Sequence, residues 1–248
     1  MRNGQQTVPA LLLVGTAWAA SQQAPVHQVW QTISAQRTHS EAGQSVDDHV
    51  RIGLSRFGLV EVRFRMTQGS PAVTEVIAQA RRFSVYTATE GLHLVAERSE
   101  IRVAGRIADV LAVWMLPNGH VGYHSADGMA HVKWRDAIRP PALRANPLPK
   151  ETRSSEILGM AATPWVLAKI APSGHTRLET NIALGRPIFT TAAAFDIRSG
   201  RDGLHVMSAE NAVVDLGEGP VLVERSELWM SPGGGVGVRL HKREKRDP

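Results

Sequence analysis

Cysteine is missing from all 248 residues. That absence removes disulfides, thiol nucleophiles and thiolate zinc sites from consideration. It leaves the compartment open, because chains without cysteine occur in oxidising and reducing compartments alike. Several chemical signatures are missing as well. The glycines at 233–237 are followed by no helical pattern, so they form a loop and not a phosphate cradle or a dinucleotide fingerprint. No serine stands at the centre of G-x-S-x-G, and H-E-x-x-H does not occur. Aromatic residues make up only 5% of the chain. No apolar run approaches the ~20 residues that a membrane-spanning helix requires.

What remains describes a folded chain. Hydrophobic residues account for 43% and charged residues for 21%, a balance that argues against wholesale disorder. The length allows one large domain or two small ones. The formal charge is +5 and the pI about 10.1. Acidic residues are interspersed with the basic ones, so an acidic partner is permitted without being demanded.

The first twenty residues read as an export signal. Arg2 precedes an apolar stretch from Val8 to Ala20, which ends in Ala17-Trp18-Ala19, the small-x-small pattern of a cleavage site. A periplasmic, cell-envelope or secreted product is therefore expected. If residues 8–20 instead belonged to the fold, the chain would be cytoplasmic. Cleavage would remove Arg2 from the 28 basic residues and leave 27 against 23 acidic ones, a charge of +4.

The body of the chain contains two similar phrases. "WMLPNGHVG" from Trp114 aligns with "WMSPGGGVG" from Trp229, with six identities in nine positions at an offset of 115. Upstream, "ARRFSVYTATEGLH" (80–93) aligns with "AAAFDIRSGRDGLH" (192–205) at an offset of 112, matching Phe83 to Phe195 and His93 to His205. The difference of three fits a short insertion, which "GEGP" at 217–220 supplies. An internal duplication is expected on this basis.

Both phrases carry β character, with apolar and polar residues alternating in "FSVYT" and "FDIRS". Pro-Asn-Gly and Pro-Gly-Gly then mark turns, because proline presets one central position and glycine or asparagine tolerates positive φ at the next. Gly122 and Gly237 fall inside the returning strands, where a large neighbour can lie across them. Trp114 and Trp229 are the expected neighbours and are taken as buried hairpin anchors. The fold class predicted is mainly β, a β-rich α+β chain of two related antiparallel units. Each unit carries at most one short helix. The candidates are 70–83, whose apolar residues recur at helical spacing, and 163–171. The predicted organisation is a signal at 1–20, a first unit at 21–138, a proline-rich linker at 139–156, a second unit at 157–238 and a basic tail at 239–248.

Few residues offer chemistry. His120, His124 and Asp127 are the candidate catalytic set. His120 and His124 would stand about 13 Å apart on a strand, too far to share a metal. His93 and His205, between apolar neighbours, are expected to face solvent and are candidate binding residues. Arg239, Lys242 and Arg243 in the tail could contact an anion. No aromatic residue accompanies them, which disfavours nucleic acid. No cofactor and no metal site is expected. The function predicted is a non-enzymatic binding or assembly protein that engages another protein or an envelope component through sheet edges or the groove between its units. The alternatives are an enzyme with a His/Asp site between the units and an intracellular assembly or nucleic-acid-binding protein.

Overall fold

The computed structural model describes residues 38–69, 71–126, 153–183 and 185–241. Among them are seventeen strands and no helix. In chain order these are β1 (Thr38–Ser45), β2 (Val50–Leu54), β3 (Val60–Thr67), β4 (Val73–Ala80), β5 (Arg82–Ala88), β6 (Gly91–Val103), β7 (Arg106–Met115) and β8 (His120–Ala126). They are followed by β9 (Arg153–Ile170), β10 (Thr176–Ile182), β11 (Ile188–Ala192), β12 (Ala194–Ser199), β13 (Leu204–Ser208), β14 (Ala212–Asp215), β15 (Pro220–Val223), β16 (Arg225–Met230) and β17 (Gly235–His241). Every pairing among them is antiparallel.

The two segments predicted as helices are strands. In β4 the buried residues are Val76, Ala78 and Ala80, with Ile77 and Gln79 more exposed between them. That is a period of two, and the β-branched residues of "VTEVI" suit it. Around 163–171, Val166 and Ala168 are buried while Trp165 and Leu167 point the other way. Short apolar runs satisfy both periodicities, and pairing on two sides decides the outcome here. β9 pairs with β17 through residues 153–160, then with β10 and β2 through residues 161–170. Its register shifts where it changes partner, and Pro164, which has no N–H to give to a ladder, lies in that stretch.

The pairings resolve into two layers. One runs β1-β8-β7-β6-β5-β12-β13-β16-β17-β9. The other runs β4-β3-β2-β9-β10-β11, using the second half of β9. They are stitched together by β1 with β3 and by β4 with β6, and β14 and β15 continue the second layer beyond β11. One apolar core fills the space between, drawing Phe64, Phe83, Leu94, Leu111 and Tyr123 from the first half and Phe195, Ile197, Leu204 and Val236 from the second. Along most strands, alternation puts every second residue into it.

The two similar phrases occupy corresponding places. His93 pairs with Trp114 and Trp114 with Gly122; His205 pairs with Trp229 and Trp229 with Gly237. A Cβ on Gly122 would meet the Trp114 ring at 2.6 Å, and one on Gly237 would collide with the Trp229 ring. Gly91 and Gly203 hold φ of 154° and 141°, and a Cβ on either would strike the carbonyl oxygen of Met115 or Met230. Where the halves meet, Phe83 pairs with Ile197 and Val85 with Phe195, a local two-fold arrangement centred on Ser84 and Asp196.

The expected boundaries shift. Arg153–Glu156, placed in the linker, are paired with β17, and β17 carries Arg239 as far as His241 into the sheet and out of the tail. The remainder of 139–152, and residues 1–20, lie outside the described residues.

Candidate functional site

The side of the long layer that faces away from the core carries most of the polar residues singled out in the sequence. Alternation puts Leu92 and Leu94 into the core and His93 on the opposite side, as expected. Solvent does not reach it, however. His93 is 2% exposed and stacks on Tyr86 with ring centroids 5.4 Å apart. Tyr86, Val95, Ala112, Ala194 and Ala209 form a second, small apolar cluster on that side. The strand face turned away from the main core is not solvated here, because this second cluster covers it. The tryptophans are corrected in the other direction. Trp114 and Trp229 are half-buried on this outer side, lying over their glycines, and do not enter the main core.

In the second half the same positions hold a closed charge network. His205 lies 3.0 Å from Asp202 through Nε2 and 3.0 Å from Glu227 through Nδ1. Arg239 donates from Nη1 to the other Glu227 oxygen at 2.7 Å. The hydrogen bond with His205 holds the Asp202 carboxyl below its ordinary range. The first half has Glu90, His93, Ala112 and His124 at the matching places. Ala112 interrupts the network there, and His124 instead contacts Ser40 at 2.6 Å and tilts against the Trp114 ring at 6.2 Å. At the junction, Arg82 donates to Asp196 at 2.5 Å.

The candidate histidines on this face are held in different ways. His205 has both ring nitrogens engaged by carboxylates. His120 and His124 stand four residues apart on one strand, and the exposed His120 meets Asn118 Oδ1 through its backbone N–H, at 3.1 Å. Among the described residues no three histidine or carboxylate side chains gather into a metal-holding group. Asp127, Lys242 and Arg243 lie outside the described residues. Two further groups are displaced from their ordinary titration. Burial, and after it the neighbouring Glu41 carboxylate, push the Tyr123 phenol up to about 12. The side-chain hydrogen bond from Arg65 holds the Asp47 carboxyl low.

A second feature lies at the end of the β14–β15 hairpin. β15 pairs with β14 and, among the described residues, with no other strand. It begins at Pro220 and shows Val221 at 50% and Leu222 at 68% exposure, and Val213 of β14 is exposed beside Leu222. Leu222 and Val213 share one face of the hairpin and Val221 points to the other, an exposure that contrasts with the rest of the sheet, whose aliphatic residues are mostly in the core. In the first half the corresponding place is the start of β7, where Ile107 is 62% exposed. The sequence signal for the edge is "PVLV" at 220–223, directly after the turn glycines of "GEGP".

Among the described residues no helix is long and apolar enough to cross a membrane. No protein-family model matches the chain, and neither the curated proteins nor the solved structures compared with it give a match.

Proposed function

We propose that this chain is an exported binding or assembly protein of the cell envelope that docks a partner polypeptide by strand addition at β15. The observation that carries the reading is the open β15 edge with Val221 and Leu222 exposed on it. An unpaired edge offers backbone donors and acceptors in a row, and exposed side chains on both faces of the strand add apolar contact. Export rests on the run from Val8 to Ala20 and its Ala-Trp-Ala end. Two measurements test the reading. The mature chain should begin after residue 19 or 20 by mass spectrometry. Leu222→Asp should release the chain from any complex in which it migrates in envelope extracts, while the variant keeps the wild-type circular dichroism. An intact Met1 terminus on the folded cellular protein would refute export, and an unchanged complex in the variant would refute docking at β15.

We propose further that the halves of the chain arose by duplication. Support comes from the matched pairs His93–Trp114–Gly122 and His205–Trp229–Gly237, and from the reciprocal pairing of β5 with β12. On this reading the two hairpins are interchangeable. Replacing 113–122 with the residues of 228–237 should leave a folded chain, and failure to fold would count against common origin.

A further inference from the structure

We infer that the segment docking at β15 is an extended polypeptide in which apolar residues alternate with lysine or arginine. This rests on the edge reading above and adds the chemistry of the partner. Residues 210–224 contain Glu210, Asp215, Glu218 and Glu224 and no lysine or arginine, a charge of −4 in a chain whose total is +5, so the remaining residues carry +9. Arg225 neutralises Glu210 at 2.8 Å, and Arg186 donates to the Gly217 carbonyl at 2.8 Å. Asp215, Glu218 and Glu224 form no ion pair among the described residues. Asp215 accepts only the backbone N–H groups of Gly217 and Gly219, at 2.8 and 3.2 Å, which fixes the hairpin turn.

The open edge is thus apolar along Val221 and Leu222 and acidic around them, on a molecule that is otherwise basic. Like charges placed beside one another are unfavourable, so an acidic strand would be excluded from this edge while a basic one is drawn to it. The aliphatic side chains confer affinity and the carboxylates decide which strand arrives. Pro220 bounds the docking stretch on one side and the turn of the chain into β16 bounds it on the other, so about four residues, or ~13 Å, are available. The contact is short, and the partner gains specificity from charge more than from length.

The test uses the full chain and three labelled nonapeptides, one alternating leucine with lysine, one leucine with glutamate and one serine with lysine, with binding followed by fluorescence anisotropy. The leucine-lysine peptide should bind, and the leucine-glutamate peptide should bind about tenfold or more weakly. Glu218→Lys with Glu224→Lys should reverse that preference. Leu222→Lys, at an exposed position that the fold does not need, should weaken the leucine-lysine peptide and leave circular dichroism unchanged. Equal binding of the lysine and glutamate peptides, both lost in Leu222→Lys, would overturn the basic partner and leave the edge reading standing. Binding of the serine-lysine peptide as tightly as the leucine-lysine one would overturn strand docking in favour of diffuse charge attraction. No binding by any peptide, together with an unchanged native complex in Leu222→Lys, would overturn the edge reading itself. Sedimentation that showed a dimer in the wild type and a monomer in Leu222→Lys would assign the edge to a second copy and overturn the basic partner.

Discussion

Trp114 and Trp229 lie across Gly122 and Gly237 on the outer side of the long layer, and Phe83 and Phe195 sit fully buried in the core on the other side. The cost of removing each follows from that division. Phe83→Ala and Phe195→Ala should each destabilise the chain by about 3–5 kcal/mol, since a buried aromatic loses its transfer energy and leaves a cavity. Trp114→Ala and Trp229→Ala should cost about half as much, because half-buried rings regain less from the core. Denaturant titration of the four variants gives the order, and tryptophans costing more than phenylalanines would mean that the outer face carries the stability. The glycines supply a finer comparison. A methyl group on Gly122 meets the Glu41 carbonyl oxygen at 2.5 Å as well as the Trp114 ring, whereas on Gly237 the nearest atoms it meets all belong to the Trp229 side chain. A side chain can turn away and a backbone oxygen in a ladder cannot. Gly122→Ala should therefore cost more than Gly237→Ala, and Trp229→Val should rescue Gly237→Ala while Trp114→Val leaves most of the Gly122→Ala loss in place. Equal rescue at the two sites would show that the backbone contact is easily relieved.

At the scale of the element, the corner between β1 and β2 is held by one carboxylate. Arg65 of β3 reaches Asp47 through Nε at 2.9 Å and Nη2 at 2.6 Å, and the Val46 N–H donates to the Arg65 carbonyl at 3.0 Å. The arginine hydrogen bond lowers the Asp47 pKa, although burial opposes it. A carboxyl whose folded pKa lies below its unfolded value, about 3.9, stabilises the fold above that value. The contribution is lost as pH falls through the folded pKa. Asp47→Asn should thus cost about 1 kcal/mol at pH 7, and the gap to wild type should close below about pH 4. A gap that stayed constant from pH 7 to pH 2.5 would assign the effect to packing. Elements of this kind also mark what the sequence could reveal. The hairpins were legible because Pro-Gly turns and a tryptophan paired with a glycine are local signals. The two supposed helices were not, because "SPAVTEVIAQARRF" fits both periodicities, and only the pairing of β4 with β3 and β6 selects the strand. The second apolar cluster around Tyr86 was hidden for a similar reason. Its members, Tyr86, Val95, Ala112, Ala194 and Ala209, come from strands that are distant in the chain, and no local pattern marks a sheet side that is covered twice. The carboxylates around His205 were not legible either, because Glu227 reaches the ring only through the pairing of β16 with β13.

At the scale of the whole molecule, the question is whether the halves fold together or apart. Two bodies joined by a linker would each close a core of their own. This chain has one main core, in which Phe83 and Val85 from the first half adjoin Phe195 and Ile197 from the second. The halves are also zipped at two places, β5 to β12 in one layer and β2 to β9 in the other. Unfolding either half alone would expose the core face of the other and strip two strands of the neighbour on one side, leaving backbone groups there that need water or a new partner. That cost couples the halves. Unfolding in urea should therefore be a single transition, with tryptophan fluorescence and far-ultraviolet circular dichroism coincident. Phe83→Ala and Phe195→Ala should lower the same midpoint by similar amounts and leave the slope unchanged. If the seam were weak, Phe195→Ala would split the curve, and the early phase would follow Trp229 while Trp114 held its native signal. A single-tryptophan comparison at those two positions separates the outcomes. Independent melting would mean that the shared core contributes less than the strands within each half, and the matched pairs of the two hairpins would then describe two domains side by side instead of one closed fold.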